Sequence, residues 1–338
     1  MTDDMVRWGM IGCGDVTEEK NGPGLYRASH STLAGVANRT EARAEDWVKR
    51  HGAGKVYDSA EALLADPQID IVYVATTPNC HKKYAIACAE AGKHCYLEKP
   101  IALSYEEAEE IREAFQASGT KIYVAHYRRG MGRYKELRRL LNEGVIGKVR
   151  GVQILRTQML TREERLPEEE KPWRVRSTIS GGSYFFEADI HMLDLIDYLV
   201  GAAADFKLEI SNETGCYQGE DVVSLSMLTE TGVMVSGLWC YAAWRELDQI
   251  LIFGDRGTVT FQYGKNTEPI TIETPDGIRQ ICPPVNPNIG TEQIQDIVDE
   301  LRGCGVCHST LESAMRSLKI TDAAVKQWTA CKNGLKTL

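Results

Sequence analysis

The chain has 338 residues, of which 43% are hydrophobic and 26% charged, and its formal net charge is −9. This length exceeds one ordinary hydrophobic core, so two domains are expected. The acidic balance argues against a nucleic-acid-binding protein, since phosphate contacts need a basic face. No apolar run is long enough to cross a membrane. The start, Met1-Thr2-Asp3-Asp4, lacks the basic-then-apolar pattern of a signal peptide. A cytoplasmic protein is therefore expected.

The first motif is the apolar run Val6–Ile11, which ends in Gly12-Cys13-Gly14-Asp15-Val16-Thr17. A strand that stops at Gly-x-Gly and turns into a helix opens a dinucleotide-binding fold. Gly12 permits the tight turn, Gly14 lets a pyrophosphate approach the backbone, and the helix offers its N-terminus to that phosphate. Thr17 replaces the third glycine of the fingerprint, so the motif alone also fits a glycine-rich turn after a buried strand.

Strand and helix patterns alternate as far as residue 126. Strands are predicted at 33–37, 69–75, 94–97 and 122–125, and helices at 40–50, after Ser59, at 81–91 and at 104–118. Residues 69–75 are almost all apolar, which is typical of a strand buried on both faces. This alternation predicts a doubly wound parallel sheet of the Rossmann type in a domain of residues 1–126.

Residues 127–338 have a different pattern, which predicts an α+β domain. Helices are predicted at 133–143, 187–200, 291–302 and 309–330, strands at 149–158, 207–215, 221–229, 232–241, 247–254 and 257–263, and a solvated loop at 161–176. Polar alternation along these strands predicts a large, mostly antiparallel open sheet. Trp239, Tyr241 and Trp244 are expected in the core or on the sheet face. Since helices cover one face, a second subunit is expected to cover the other, giving a homodimer or homotetramer.

The ten cysteines are scattered, and they are expected to be free thiols in a reducing compartment. Cys304-Gly305-Val306-Cys307-His308 matches the spacing of c-type haem attachment. That chemistry needs an exported chain, and a single cysteine pair does not make a four-thiolate zinc site. The cluster is therefore interpreted as a loop between helices, and no metal is expected.

The end of the second strand bears on the choice of cofactor. Asn38-Arg39-Thr40 follows this strand, where an NAD site usually has Asp or Glu on the ribose hydroxyl. A guanidinium at Arg39 can bind a 2′-phosphate, Thr40 can donate beside it, and Arg43 lies one turn further on. The pattern favours NADP(H) over NAD(H), although Arg39 also fits a solvated residue at a helix start.

Two further loops follow predicted strands, at the sheet edge where ligands bind in doubly wound folds. One is Thr76-Thr77-Pro78-Asn79, with His81 close behind, and the other is Glu98-Lys99-Pro100. A lysine at the end of a buried strand, followed by proline, is not a typical solvated lysine. We interpret Lys99 as a proton donor or acceptor.

These motifs, in this order, resemble those of the glucose-fructose oxidoreductase / inositol dehydrogenase / MocA (GFO/IDH/MocA) family over essentially the whole chain. The matching residues are Gly12 and Gly14, Thr77-Pro78-Asn79 with His81 one residue closer than usual, Glu98-Lys99-Pro100, Trp173-Arg174, Gly181-Gly182-Ser183, and His191 with Asp194. The resemblance implies an NAD(P)-dependent oxidoreductase that acts on a sugar, polyol or related hydroxyl or carbonyl compound.

The resemblance also implies roles for single residues. Lys99 corresponds to the lysine beside the nicotinamide and the reacting oxygen, and His191 to the histidine that exchanges the hydroxyl proton. Glu187 stands where the family typically has Asp, four residues before the histidine, and is expected to orient the imidazole from the same helix face. The expected substrate contacts are Lys99, Arg128, Trp173, Arg174, Glu187 and His191. The expected cofactor contacts are Gly12, Gly14, Asp15, Val16, Asn38, Arg39, Thr40, Thr76, Thr77, Pro78, Asn79, His81, Glu98 and Lys99.

Two other functions remain open on the sequence. A glycoside hydrolase could use tightly held NAD for transient oxidation, or the fold could serve a cofactor-binding regulator without catalysis. The presence of both Lys99 and His191 argues against the regulator. One fold hosts many chemistries, so the fold does not decide among the three.

Overall fold

The structure, a computed structural model, describes residues 4–282 and 286–333. The strands are β1 (Val6–Ile11), β2 (Ser31–Ala37), β3 (Lys55–Tyr57), β4 (Ile71–Val74), β5 (His94–Leu97), β6 (Ile122–Val124), β7 (Val149–Thr157), β8 (Ala203–Ser211), β9 (Val222–Thr229), β10 (Met234–Cys240), β11 (Leu247–Gly254), β12 (Thr258–Phe261), β13 (Ile270–Thr274) and β14 (Gly277–Ile281). The α-helices are α1 (Gly24–Arg27), α2 (Glu41–His51), α3 (Ala60–Ala65), α4 (His81–Glu90), α5 (Tyr105–Ser118), α6 (Gly132–Asn142), α7 (Ser177–Ser180), α8 (Tyr184–Glu187), α9 (Ile190–Val200), α10 (Thr291–Leu301) and α11 (Leu311–Lys332).

The chain divides into two compact units. The first comprises Met1–Met131 and Asn286–Met315, and the second comprises Gly132–Val285 and Arg316–Leu338. The sequence placed all of residues 127–338 in one domain, whereas 286–315 belong to the first unit. The reason is α10, whose Ile294, Ile297 and Val298 are buried in the same core as β1 and β2.

The first unit is built on a six-stranded sheet. Its strand order is β3-β2-β1-β4-β5-β6, and every pairing is parallel. All four residues of β4 are buried, as expected for a strand covered on both faces. The predicted doubly wound parallel sheet is thereby confirmed. In this strand order ligands bind beyond the carboxyl ends of the strands, where β1 and β4 meet.

The helix expected directly after the glycine loop is short and irregular. A five-residue π-helix, Val16–Lys20, comes first, and α1 follows with only four residues. Between them the chain turns back so closely that a side chain on Gly22 would lie 1.9 Å from the carbonyl oxygen of Thr17. Pro23, which has no N–H to donate, follows at once. The sequence signal for a regular helix here was wrong.

The second unit is built on an eight-stranded sheet in the order β14-β13-β12-β11-β7-β10-β9-β8. Among the described strands of this eight-stranded sheet, only β10 and β7 pair in parallel, so the prediction of a mostly antiparallel sheet is confirmed. In β9 and β10 buried and exposed residues alternate strictly, with one face inside and the other outside. The sequence did not predict the hairpin of β13 and β14, whose last strand is mostly exposed.

The burial of three aromatic residues, Trp239, Tyr241 and Trp244, agrees only partly with the sequence prediction. Trp239 and Tyr241 are fully buried, as the sequence indicated, whereas Trp244 is 83% exposed on the turn between β10 and β11. The expected solvated loop at 161–176 also contains a buried residue. Glu164 is 1% exposed, because the hydroxyl groups of Tyr184 and Tyr217 donate to its carboxylate from later parts of the chain.

Candidate active site

The backbone of the glycine loop is closely packed at Gly12 and open at Gly14. Gly12 has a φ of +103°, and a Cβ there would lie 2.7 Å from the carbonyl oxygen of Ala75, so only glycine fits. No atom lies within 4 Å of a Cβ placed on Gly14. Thr17, in place of the third glycine, is buried, and its hydroxyl donates to the carbonyl oxygen of Gly14 at 2.7 Å. The loop therefore has the closed turn and the open approach that a pyrophosphate needs.

The segment after β2 presents an unpaired cation. Asn38 braces the loop, since its Oδ1 accepts the N–H of Cys13 at 3.3 Å and its Nδ2 donates to the carbonyl oxygen of Thr40 at 2.9 Å. Arg39, Thr40 and Arg43 are exposed. Within 4–282 and 286–333, the Arg39 guanidinium has no hydrogen bond or ion pair to the protein. A cation in this position is available to an anionic ligand.

The loop after β4 contains a buried hydroxyl group. Thr76 Oγ1 is buried and has no hydrogen-bond partner among the residues that the structure describes. Thr77 Oγ1 donates to Asn79 Oδ1 at 2.7 Å, and Pro78 begins a short 3₁₀ turn. An unpartnered buried hydroxyl is costly unless a ligand or water completes it. The Thr76 hydroxyl thus has hydrogen-bonding capacity that the described residues leave unused.

His81 joins this loop to the lysine loop. Its ring nitrogens lie 2.7 Å from the carbonyl oxygen of Pro100 and 3.0 Å from that of Thr76. Burial lowers the pKa of His81 to about 4, although both carbonyl contacts favour the charged ring. The predicted cofactor residue His81 is therefore a buried, neutral link between two loops.

Glu98 is buried among protein donors. Its Oε1 accepts from the Tyr73 hydroxyl at 2.6 Å and from Asn21 Nδ2 at 2.7 Å, and its Oε2 accepts from the backbone N–H of Lys99 at 3.3 Å. Burial raises the pKa of Glu98, against these contacts, which lower it. The carboxylate thus supports the backbone of Lys99. No local signal marked Asn21 and Tyr73, because the sequence separates Asn21 from Glu98 by 77 positions.

The lysine follows at the end of β5. Lys99 is partly exposed, and a cis peptide bond joins it to Pro100. Arg128, a predicted substrate contact, is only 6% exposed, and its guanidinium donates to the hydroxyl of Tyr127 at 2.9 Å. This part of the first unit brings together the ends of β4 and β5, as the parallel sheet requires.

In the second unit the predicted helix at 187–200 is broken. Glu187 is the last residue of α8, and His191 is the second residue of α9, with Ala188 and Asp189 between the two helices. The expectation that Glu187 and His191 share one face of a continuous helix is therefore wrong. Both side chains are nevertheless buried, with His191 at 8% and Glu187 at 1% exposure.

Glu187 forms an ion pair with Arg174. Arg174 Nη1 lies 2.6 Å from Glu187 Oε1, and the guanidinium is 4.6 Å from the ring centre of Trp173. The arginine side chain is 36% exposed, while the glutamate is buried. The predicted residues Trp173, Arg174 and Glu187 thus form one cluster with a solvent-facing cation and an inward-facing carboxylate.

Among the described residues, no group of three or more His, Cys, Asp or Glu side chains is arranged to hold a metal ion. Cys304 and Cys307 are both free thiols, and they lie in the connection between α10 and α11. None of the helices in 4–282 and 286–333 is long and apolar enough to cross a membrane.

The features of the first unit fit a dinucleotide. They are the closed turn at Gly12, the open backbone at Gly14, the unpaired Arg39 and the orphaned hydroxyl of Thr76. A sequence model described as "Oxidoreductase family, NAD-binding Rossmann fold" matches residues 6–126, and a model of the GFO/IDH/MocA C-terminal domain matches residues 134–260. The chain belongs to the GFO/IDH/MocA family.

The sequences of known GFO/IDH/MocA proteins support this membership. An oxidoreductase from Formosa agariphila is 37% identical over 78% of this chain and 82% of its own length. The 1,5-anhydro-D-fructose reductase of Ensifer adhaerens is 25% identical over 95% of this chain and 96% of its own. The resemblance drawn from the motifs is confirmed, and this GFO/IDH/MocA protein is an NAD(P)-dependent oxidoreductase.

Solved structures show the same fold over the whole chain. Levoglucosan dehydrogenase, in a complex with NADH and levoglucosan, has a TM-score of 0.82 at 20% identity and covers 96% of this chain and 97% of its own. An aldose-aldose oxidoreductase from Caulobacter crescentus, complexed with glycerol, has a TM-score of 0.84 at 19% identity and covers 98% of both chains. At this identity the likeness establishes the fold alone.

Proposed function

We propose that the protein is an NADP(H)-preferring oxidoreductase that transfers a hydride between the nicotinamide and a sugar, polyol or related hydroxyl or carbonyl substrate. The observation that carries the cofactor preference is the exposed, unpaired guanidinium of Arg39 directly after β2, in the segment of residues 38–40 that contains no Asp or Glu. A carboxylate there would repel a 2′-phosphate, and a guanidinium can bind it with two hydrogen bonds. The names of the relatives support a sugar-like substrate.

The cofactor would be held by the segments that follow β1, β2, β4 and β5. The residues assigned to it are Gly12, Gly14, Asp15, Val16, Asn38, Arg39, Thr40, Thr76, Thr77, Pro78, Asn79 and Lys99, with His81 and Glu98 fixing the loops. When bound, NAD(P) supplies or accepts the hydride at the nicotinamide ring. The protein must then position the substrate and handle its hydroxyl proton.

We assign that proton to His191 and Lys99. His191 removes the hydroxyl proton in oxidation or returns it in reduction, and the Lys99 ammonium stabilises the alkoxide that develops as the hydride leaves. The support for Lys99 is the buried Glu98 carboxylate, which fixes its backbone. A cation that is already in place when charge develops lowers the barrier most effectively.

Besides the orienting role toward His191, Glu187 takes a part that its spacing did not suggest. Its ion pair with Arg174 supports a positioning role, in which the buried carboxylate holds the guanidinium over Trp173. Arg174 retains N–H donors for substrate hydroxyl groups, and the Trp173 ring offers an apolar surface to a sugar face. Arg128 remains a proposed substrate contact, although its burial leaves little of it accessible.

The exposed face of the eight-stranded sheet supports a homo-oligomer, dimer or tetramer. Leu228, Met234 and Phe253, 40%, 53% and 38% exposed, align across β9, β10 and β11 with Gly151 of β7 between them. An apolar row on an open sheet face is a typical site of subunit association. A cytoplasmic location remains a prediction.

The activity is tested by steady-state oxidation of a panel of neutral sugars and polyols with NADP⁺ and NAD⁺. Lys99→Ala and His191→Gln should lower kcat by about a hundredfold or more. By fluorescence titration, the affinity for NADPH should be unchanged in His191→Gln and largely intact in Lys99→Ala, because the other assigned cofactor contacts remain. Lys83→Ala, which removes a charge from the exposed side of α4 in the same unit, is the matched control. Full turnover in both site variants would refute the assignment of the two residues, and bound nucleotide that never turns over with any substrate would favour a hydrolase or a regulator.

A further inference from the structure

The junction between α8 and α9 is formed by one buried residue, Asp189, which is 1% exposed. Its backbone N–H donates to the carbonyl oxygen of Tyr184, the first residue of α8, at 3.0 Å. Its own carbonyl oxygen accepts the N–H groups of Met192 at 2.9 Å and Leu193 at 3.2 Å, which begins α9. Asp189 therefore sets the direction in which α9 starts.

The side chain of Asp189 is held by the sheet. Its Oδ2 accepts from the hydroxyl group of Tyr241, directly after β10, at 2.8 Å. Its Oδ1 lies 3.3 Å from Nε of Arg156 on β7, which is close enough for an ion pair, although these two atoms form no hydrogen bond with each other. The two partners come from adjacent strands and bind different oxygens, so rotation of the carboxylate would break at least one contact.

Arg156 is in turn fixed from its other side. Its Nη1 lies 3.4 Å from Oδ2 of Asp248 on β11, and that carboxylate accepts the backbone N–H groups of Tyr263 at 2.9 Å and Gly264 at 2.6 Å. Burial lowers the pKa of Arg156, but the carboxylates of Asp189 and Asp248 outweigh burial and raise it. The guanidinium is therefore a cation held between two carboxylates. It links Asp189 to β7, which carries Arg156, and to β11, which carries Asp248.

We propose that Asp189, clamped by Arg156 and Tyr241, is a positioning residue that fixes the first turn of α9 and with it the imidazole of His191. His191 follows Asp189 by two residues, and this role presupposes the proton transfer assigned to His191 above. A general base displaced by about 1 Å can lose about a hundredfold in rate while substrate still binds. The clamp thus acts on kcat and not on substrate affinity.

Two substitutions test the contacts of Asp189 with Arg156 and with Tyr241 one at a time. Asp189→Asn keeps an acceptor for Tyr241 and removes the charge that faces Arg156, whereas Tyr241→Phe removes only the hydroxyl group. Tyr123→Phe is the matched control, because Tyr123 is also a buried tyrosine and donates its hydroxyl to a carboxylate, that of Glu300, at 3.0 Å in the first unit. Each full-length variant is measured for kcat, KM and Tm, and its histidine side-chain signals are recorded by NMR, with His191→Gln to assign the His191 signal.

If the clamp positions His191, Asp189→Asn and Tyr241→Phe displace the His191 imidazole signal and lower kcat by about tenfold to a hundredfold with KM within about twofold. Tyr123→Phe lowers Tm without either effect. An unmoved His191 signal and unchanged kcat in both variants, with only a loss in Tm, would show that the clamp is merely structural. Full activity of His191→Gln would instead refute the role of His191, while the NMR signal would still decide whether Asp189 places the ring.

Discussion

The imidazole of His81 contacts the carbonyl oxygen of Pro100 at 2.7 Å and, through its other nitrogen, that of Thr76 at 3.0 Å. One side chain thereby ties the loop after β4 to the loop that carries Lys99. A neutral ring has only one N–H, so protonation would improve one of these contacts. Burial nevertheless disfavours the charged ring, and the pKa of His81 is lowered to about 4.

This pKa predicts a loss of stability in acid. The ordinary pKa is 6.5, so the unfolded chain takes up the proton first as pH falls. The contribution of neutral His81 is complete above pH 6.5 and is lost as pH falls toward 4, by up to about 3 kcal/mol. In His81→Gln the free energy of unfolding should depend less on pH in this range, as measured by urea unfolding between pH 7 and 4. An equally steep profile in His81→Gln would contradict the buried, neutral ring.

A second acid-sensitive group lies in the π-helix after the glycine loop. Glu18 accepts two hydrogen bonds from Arg50, at 2.5 and 2.9 Å, and contacts His51 Nε2 at 2.9 Å, at the end of α2. The hydrogen bond from Arg50 is the main cause that lowers the pKa of Glu18 to about 2, from 4.5.

A carboxylate with a lowered pKa stabilises the fold above its ordinary pKa, and this contribution is lost as pH falls from 4.5 to 2. The parent should therefore lose more stability between pH 5 and 2.5 than Glu18→Gln does, as measured by denaturant unfolding at the two pH values. Glu45→Gln, on the exposed side of α2, is the control. Equal losses in parent and Glu18→Gln would mean that the contact with Arg50 is not formed in solution.

The ion pair of Arg174 and Glu187 should be energetically coupled. Arg174→Met removes the ion-pair partner of a buried carboxylate, and a cost of about 1 to 3 kcal/mol is expected, reduced by the partial exposure of the arginine. Adding Glu187→Gln should recover part of that loss. A double-mutant cycle by urea unfolding measures the coupling, for which we expect about 1 kcal/mol or more. Strictly additive single effects would contradict the pairing.

Most of the strands followed from local pattern, whereas the junctions did not. Residues 69–75 and 94–97 predicted β4 and β5, because continuous apolar runs leave few alternatives. The break between α8 and α9 depends on Asp189, whose partners Arg156 and Tyr241 lie 33 and 52 positions away. Contacts between residues so far apart in the sequence leave no local sequence pattern from which they could be predicted.

The same distinction applies to the site. Gly12 and Lys99 were identifiable because their surroundings, a strand end and a following proline, are local in sequence. Glu98 was assigned to the cofactor, but its contacts with Tyr73 and Asn21 show a carboxylate engaged by the protein. Spacing likewise placed Glu187 and His191 on one continuous helix, whereas the structure ends α8 at Glu187 and pairs its carboxylate with Arg174.

The apolar row on the open sheet predicts the effect of a surface charge. Met234→Lys places a cation between Leu228 and Phe253 and should dissociate the homo-oligomer proposed above, with little change in Tm because Met234 is 53% exposed. Light scattering coupled to size-exclusion chromatography gives the mass. Val306→Lys charges an exposed apolar residue of the first unit and serves as the control. An unchanged mass for Met234→Lys would place the subunit contact elsewhere.

The most direct test is a fluorescence titration of the nucleotide-free protein with NADPH and NADH, in the parent, in Arg39→Ala and in Lys49→Ala. Lys49 is an exposed cation near the other end of α2 and controls for overall charge. We expect the parent to bind NADPH more tightly than NADH, and Arg39→Ala alone to lose about tenfold or more of its NADPH affinity with NADH unchanged. Tighter binding of NADH by the parent, or equal loss in Lys49→Ala, would contradict a 2′-phosphate site at Arg39. Failure to bind either nucleotide would contradict the proposed function itself.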